Sequence, residues 1–172
     1  MPLIETERLA DHALVREVHL AAFPATLEAD LVDRLRANRH AVISLVARDG
    51  DSVVGHVLFS PVTIAAMDGD QETAVAGGLG LAPVAVRPEF QRRGIGSALV
   101  EAGLAHSRES GFSFVVVLGE PAFYARFGFV PASRYRLANE YGAGDAFQVL
   151  TIEATALPER GGVVRYGPEF AG

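Results

Sequence analysis

The chain has 172 residues, of which 49% are apolar and 21% charged, with a formal net charge of −6 and no cysteine. That length and composition suit one domain with an ample core. The missing cysteine excludes disulfides, thiolate metal sites and a cysteine nucleophile. The acidic balance is the wrong sign for a general nucleic-acid binder, which needs a basic field to displace counterions from phosphates.

All 15 basic residues are arginine, so there is no lysine side chain to modify or to serve a phosphate loop. Met1 to Glu7 lacks the basic-then-apolar order of a secretion signal, and runs such as Phe114 to Leu118 are far too short to span a bilayer. A cytoplasmic protein with no membrane partner is the expectation.

In chain order, a short N-terminal strand precedes Asp11, which is placed to cap a helix with an apolar face of Leu14, Val18 and Ala22. Pro24 interrupts that helix. Leu27, Leu31 and Leu35 recur every fourth residue and predict a second amphipathic helix. Ala41 to Ala47 and Val53 to Phe59 are β-rich runs around Arg48-Asp49-Gly50-Asp51-Ser52, a hairpin signal. Met67 to Gly78 is polar and contains glycine, which predicts a mobile loop. Leu79 to Val86 reads as a strand in which Pro83 predicts a bulge or an unpaired edge.

Ile95, Leu99, Val100 and Leu104 predict a strong helix ending near Ser110-Gly111. Phe112 to Leu118 suits a strand buried on both faces. Pro121 fits the first turn of a short helix running to about Gly128. Strands and turns follow, Val149 to Ile152 being the best strand, before a proline- and glycine-rich tail. The fold class is α/β with a mixed sheet: one domain over residues 1–155, with a tail over 156–172 packed on it or extending it.

The segment Val84-Ala85-Val86-Arg87-Pro88-Glu89-Phe90-Gln91-Arg92-Arg93-Gly94-Ile95-Gly96-Ser97 reads as a strand, a tight turn and a helix start. Glycines let phosphate oxygens approach the helix-opening amides, and the helix N-terminus adds partial positive charge. Arg92 and Arg93 offer charge-assisted bonds. Gly94-Ile95-Gly96 is not a dinucleotide fingerprint, because its third glycine position is Leu99.

Gln91-Arg92-Arg93-Gly94-Ile95-Gly96 resembles the Q/R-x-x-G-x-G/A signature of the GNAT acetyltransferases, and Tyr124-Ala125-Arg126-Phe127-Gly128-Phe129 resembles that family's Y-x-x-x-G-F element. The form Y-x-R-F-G-F is similar to an uncharacterised bacterial branch. The resemblance implies a single domain with a central mixed β-sheet flanked by helices, and acetyl-CoA as co-substrate without a metal. The cofactor would lie on Gln91, Arg92, Arg93, Gly94, Ile95, Gly96 and Ser97. Its pantetheine arm would meet the strand edge at Val84, Ala85 and Val86, the amide of Ala85 or Val86 polarising the thioester carbonyl.

The reaction so implied is direct attack of an amine on the thioester in a ternary complex. Tyr124 occupies the family's general-acid position, suited to protonate the departing thiolate. Glu28, in the second helix, is the candidate base; Glu120 and His56 are alternatives, and a water chain is another. Many relatives carry asparagine after the fifth strand, where this chain has Gly119-Glu120-Pro121. The acceptor is a small-molecule, peptide or protein amine, and a homodimer is left open. A catalytically idle acyl-CoA sensor is the alternative from another class. The five histidines show no paired ligand spacing for a metal hydrolase.

Overall fold

A computed structural model describes residues 1–153 and 155–171. Ala154, beside the expected boundary at 155, and Gly172, the last residue of the tail, lie outside the described residues. The chain forms two compact units, Met1–Ser60 with Ala82–His106 and Pro61–Leu81 with Ser107–Gly172. Strands β3 (Ser52–Asp68) and β4 (Gln71–Val86) and helix α3 (Ile95–Glu109) each run through both.

In the first unit, β1 (Leu3–Thr6) pairs antiparallel with β2 (Ile43–Asp49), and β2 pairs antiparallel with β3 through the expected hairpin. Helix α1 (His12–Ala22) begins where predicted, but Asp11 does not cap it. Its carboxylate accepts the Arg8 N–H at 2.9 Å and pairs with Arg48 at 2.9 Å, because a buried carboxylate gains more from a guanidinium than from one helix amide. The buried face of α1 is Val15, Val18 and His19, rotated by one residue from the expected Leu14, Val18 and Ala22.

Helix α2 (Leu27–Ala37) buries Leu31 and Leu35 as its spacing predicts, while Leu27, in the first turn, is 59% exposed. In α3, Ile95, Leu99, Val100 and Leu104 are all buried, as read from their spacing. A Cβ at Gly55 of β3 would lie 2.9 Å from Leu99 Cδ1 and 3.3 Å from the Ala85 carbonyl. Glycine there lets α3 and the end of β4 approach β3.

In the second unit, β3 and β4 are neighbouring strands joined at Gly69-Asp70, Gly69 taking a left-handed φ of +64°. Met67 to Gly78 is therefore not a loop: residues 71–78 are strand, and Thr73 Oγ1 donates to the Ala66 carbonyl at 3.3 Å. Residues 71–74 are exposed and lack an apolar alternation, so only the ladder reveals them.

β4 pairs parallel with β5 (Phe114–Leu118) from Gly78↔Phe114 to Gly80↔Val116. β5 pairs antiparallel with β8 (Phe147–Thr151), and β8 with β6 (Val130–Pro131), so the sheet is mixed as expected. Phe114 to Val117 are buried, as predicted from their continuous apolar run. Helix α4 (Pro121–Ala125) starts on Pro121 and stops before the expected end at Gly128. The tail holds β9 (Gly162–Arg165), antiparallel to β3 and parallel to β7 (Leu137–Asn139). Tyr166 follows it, its ring 5.0 Å from Phe170. No helix among the described residues is long and apolar enough to cross a membrane.

Candidate active site

β4 ends at Val86, and a single 3-10 turn over Pro88–Phe90 leads to Gln91. Arg92 and Gly94 both take left-handed backbone, with φ of +62° and +81°. Glycine adopts that conformation freely, whereas arginine does so at a cost of about 1–3 kcal/mol, a strain that concentrates at ligand sites. Gln91 Nε2 donates to the Val86 carbonyl at 2.9 Å, so this side chain closes the turn on β4. The Arg93 guanidinium lies 5.2 Å from the centre of the Phe90 ring, beside a hollow of about 340 Å³ that Met1, Pro2, Asp49 and Ile95 complete. Gln91 to Gly94 are exposed.

At the start of α3 the Ala98 N–H donates to the Gly94 carbonyl at 3.0 Å, so the amides of Ile95 and Gly96 precede the helical ladder. A Cβ at Gly96 would meet only Val86 Cγ2, at 3.9 Å, an ordinary contact. Gly96 has no left-handed φ either. Neither sterics nor a left-handed φ requires glycine at this position, and the space a Cβ would enter is open. Helix-opening amides are the groups that a phosphate favours. Ser97 sits in the same first turn, half-buried. On β4, Ala85 is buried while Val84 and Val86 are half-buried, so the strand alternates into the turn. Pro83 is buried and its peptide bond with Ala82 is cis.

In the second unit, Tyr124 is 7% exposed on α4. It meets Phe123, Phe127 and Phe129 with ring centres 4.9, 6.4 and 5.7 Å away. Gly128, with φ of +101°, turns the chain so that Phe129 is buried in this aromatic group. Arg126 covers the outer side, 4.8 Å from the Phe123 ring and 5.4 Å from Phe127. Burial pushes the Tyr124 phenol up to about 12, so its hydroxyl keeps its proton at neutral pH.

A Cβ at Gly119 would lie 2.5 Å from Tyr124 Cε2. A side chain at this position would require the Tyr124 ring to shift.

Glu28 lies in the first turn of α2, half-buried, with Oε2 buried and lacking a hydrogen-bond partner among the described residues. Glu120 is exposed and contributes its carbonyl to the amides of Phe123 and Tyr124. His56 is fully buried in β3 and hydrogen-bonds His19 and Ser44, at 2.8 Å each. The pairing with His19 was invisible in sequence; the only signal was a histidine beside Val15 and Val18 on one helix face.

Residues 12–129 match the model of the acetyltransferase (GNAT) family. The chain is 36% identical over 151 residues to the uncharacterized N-acetyltransferase YhbS of Escherichia coli, covering 87% of this chain and 86% of that one. Its fold matches the crystal structure of E. coli YhbS in complex with CoA, with a TM-score of 0.89, 33% identity and coverage of 99% and 92%. It also matches a GNAT family acetyltransferase from Brucella melitensis in complex with acetyl-CoA, with a TM-score of 0.79, 36% identity and coverage of 99% and 98%. With the glycine turn opening α3 and the tyrosine element after β5 both in place, the chain belongs to the GNAT family of N-acetyltransferases.

Proposed function

We propose that this protein transfers the acetyl group of acetyl-CoA to an amine by direct attack in a ternary complex. The observation that carries the reading is Gly96, where the fold has room for a Cβ and yet carries glycine, beside amides that precede the helical ladder. The CoA and acetyl-CoA bound by the two similar proteins support the same ligand here.

The amides of Ile95 and Gly96, the first turn at Ser97 and the arginines at 92 and 93 hold the pyrophosphate. Gln91 keeps the turn closed by its bond to Val86. Val84, Ala85 and Val86 offer backbone groups to the pantetheine arm, and the N–H of Ala85 or Val86 polarises the thioester carbonyl. When bound, acetyl-CoA supplies an activated acyl group and a thiolate leaving group.

Tyr124 donates its proton towards that sulfur. A free thiol titrates near ~8.5, and the phenol is held at about 12. Complete transfer in the free protein's environment is uphill by roughly 5 kcal/mol. A water-excluded sulfur becomes more basic, which narrows the gap, so the hydroxyl acts by a hydrogen bond that strengthens as charge develops. The unpartnered oxygen of Glu28 receives the acceptor's ammonium as its counter-ion. Small-molecule, peptide and protein amines all satisfy that chemistry.

Calorimetric titration with acetyl-CoA tests the reading, with coenzyme A as competitor and thiol release measured over a panel of amines. Binding with mutual competition, and a melting temperature that rises with ligand, are expected. No binding at millimolar acetyl-CoA would refute the assignment.

A further inference from the structure

In the second unit, the start of β4 is paired on one side only. β3 lies along it, whereas the ladder to β5 begins at Gly78, just past the point where the Ser113 N–H donates to the Gly77 carbonyl at 2.8 Å. Among the described residues, no strand lies against the other side of Gln71 to Ala76. In such a strand alternate residues direct N–H and C=O groups outward, which makes the edge a template for another strand. The edge bounds the run of neighbours β7, β9, β3 and β4.

Soluble proteins blunt their strand edges by shortness, charge or proline. Two other edges of this unit follow the rule: β6 has two residues and ends on Pro131, and β7 has only three. The β4 edge does not, since Thr73-Ala74-Val75-Ala76 holds neither a charge nor a proline. Its faces, by contrast, are defined. Val75 packs on the core of the unit, and with Thr73 it borders a hollow of about 310 Å³ that Pro158 and Gly161 of the tail help to close. On the alternate positions Glu72 reaches Arg165 of β9 at 3.1 Å, while Ala74 and Ala76 are exposed. The strand is therefore held in the plane of the sheet with its backbone open along one side.

We propose that this edge is a dimer interface, occupied by the same segment of a second copy of the chain. Self-complementarity selects that occupant. Antiparallel pairing about a two-fold axis at Ala74 sets Thr73 opposite Val75, Glu72 opposite Ala76 and Gln71 opposite Gly77. No two like charges then face each other, and the small side chains at 74 and 76 let the backbones approach. A two-fold contact uses one patch on both copies and closes at two, so the edge is consumed and no chain of copies grows from it. Backbone bonds along one short edge hold weakly, and the dimer forms as concentration rises. The inference stands apart from the acetyl-transfer reading, because it uses only the β4 arm.

Sedimentation equilibrium of the full chain tests it. The wild type is expected to pass from the 18.2 kDa monomer towards twice that mass as its concentration rises to about 1 mM. Ala74→Glu and Ala74→Arg each set like charges face to face across the axis and should weaken the dimer about 5-fold. Position 74 is exposed, so both variants should melt with the wild type. Mixed in equal amounts, they place opposite charges across the axis and should associate at least as well as the wild type. A wild type that stays at 18.2 kDa throughout overturns the dimer. Variants that associate like the wild type overturn the edge as its interface. A mixture no tighter than either variant alone overturns the two-fold register at Ala74.

Discussion

The turn at Gln91 to Gly96 and the hydrogen-bonded line of His19, His56, Ser44 and Glu7 lie in the same compact unit, yet they are built in opposite ways. The turn is six consecutive residues, exposed over its first four, and works through backbone amides. The line draws one side chain from each of four separated positions, is buried at its imidazoles, and works through side-chain nitrogen and oxygen atoms. A turn of the kind proposed here to bind an anion needs local geometry, which neighbouring residues determine. A run of buried side-chain hydrogen bonds needs a dry, fixed register, which only packed elements supply. Tyr124 lies between these extremes: its motif is local, but its setting depends on Gly119 and three further rings.

The largest expected effect falls on that intermediate case. Tyr124→Phe keeps the ring packing and removes only the hydroxyl, so kcat should fall about 10²–10⁴-fold with little change in acetyl-CoA affinity. That corresponds to roughly 3–5 kcal/mol of transition-state stabilisation. Unchanged turnover, with chemistry shown to be rate-limiting, would return Tyr124 to the role of a packed aromatic.

Next comes the pH dependence of stability, which probes the buried histidines. Burial lowers the His19 pKa from 6.5 to about 4, so the unfolded chain binds more protons between those values. Stability is fully present above pH 6.5 and falls by roughly 3 kcal/mol as pH drops to 4. His56 shifts in the same direction and adds to the loss. Urea unfolding across this range should show the slope, and His19→Gln should flatten it. A wild type equally stable at pH 7 and 4 would contradict neutral burial.

Gly119→Ala should then cost about 1–3 kcal/mol, because its Cβ overlaps the Tyr124 ring and the ring or α4 must shift. Turnover should fall along with the melting temperature. A variant as stable and active as wild type would show that the ring has slack.

The smallest effects on stability separate the two glycines of the turn. Gly94→Ala places a side chain on φ of +81° and should destabilise by about 1 kcal/mol. Gly96→Val has room and should change the melting temperature little, yet weaken acetyl-CoA tenfold or more by filling the cradle. Tight binding by Gly96→Val would make the turn purely structural.

Read from sequence alone, α3, β5, the β2–β3 hairpin and both signature elements were legible, because each rests on spacing within a few residues. Ile95, Leu99, Val100 and Leu104 fall on one helix face whatever surrounds them. The α1 face came out rotated by one residue, since a buried His19 does not announce itself as apolar. Residues 71–74 carry no strand pattern and become strand only beside β3.

By itself, then, the sequence determined the mixed α/β class, the family and the turn that opens α3, all consequences of local order and periodicity. Tertiary structure alone decided that Gly119 makes room for Tyr124, that the tail supplies β9 to β3, and that His19 meets His56 37 positions away. Those outcomes depend on which distant segments exclude water from one another, and no window of neighbouring residues contains that information.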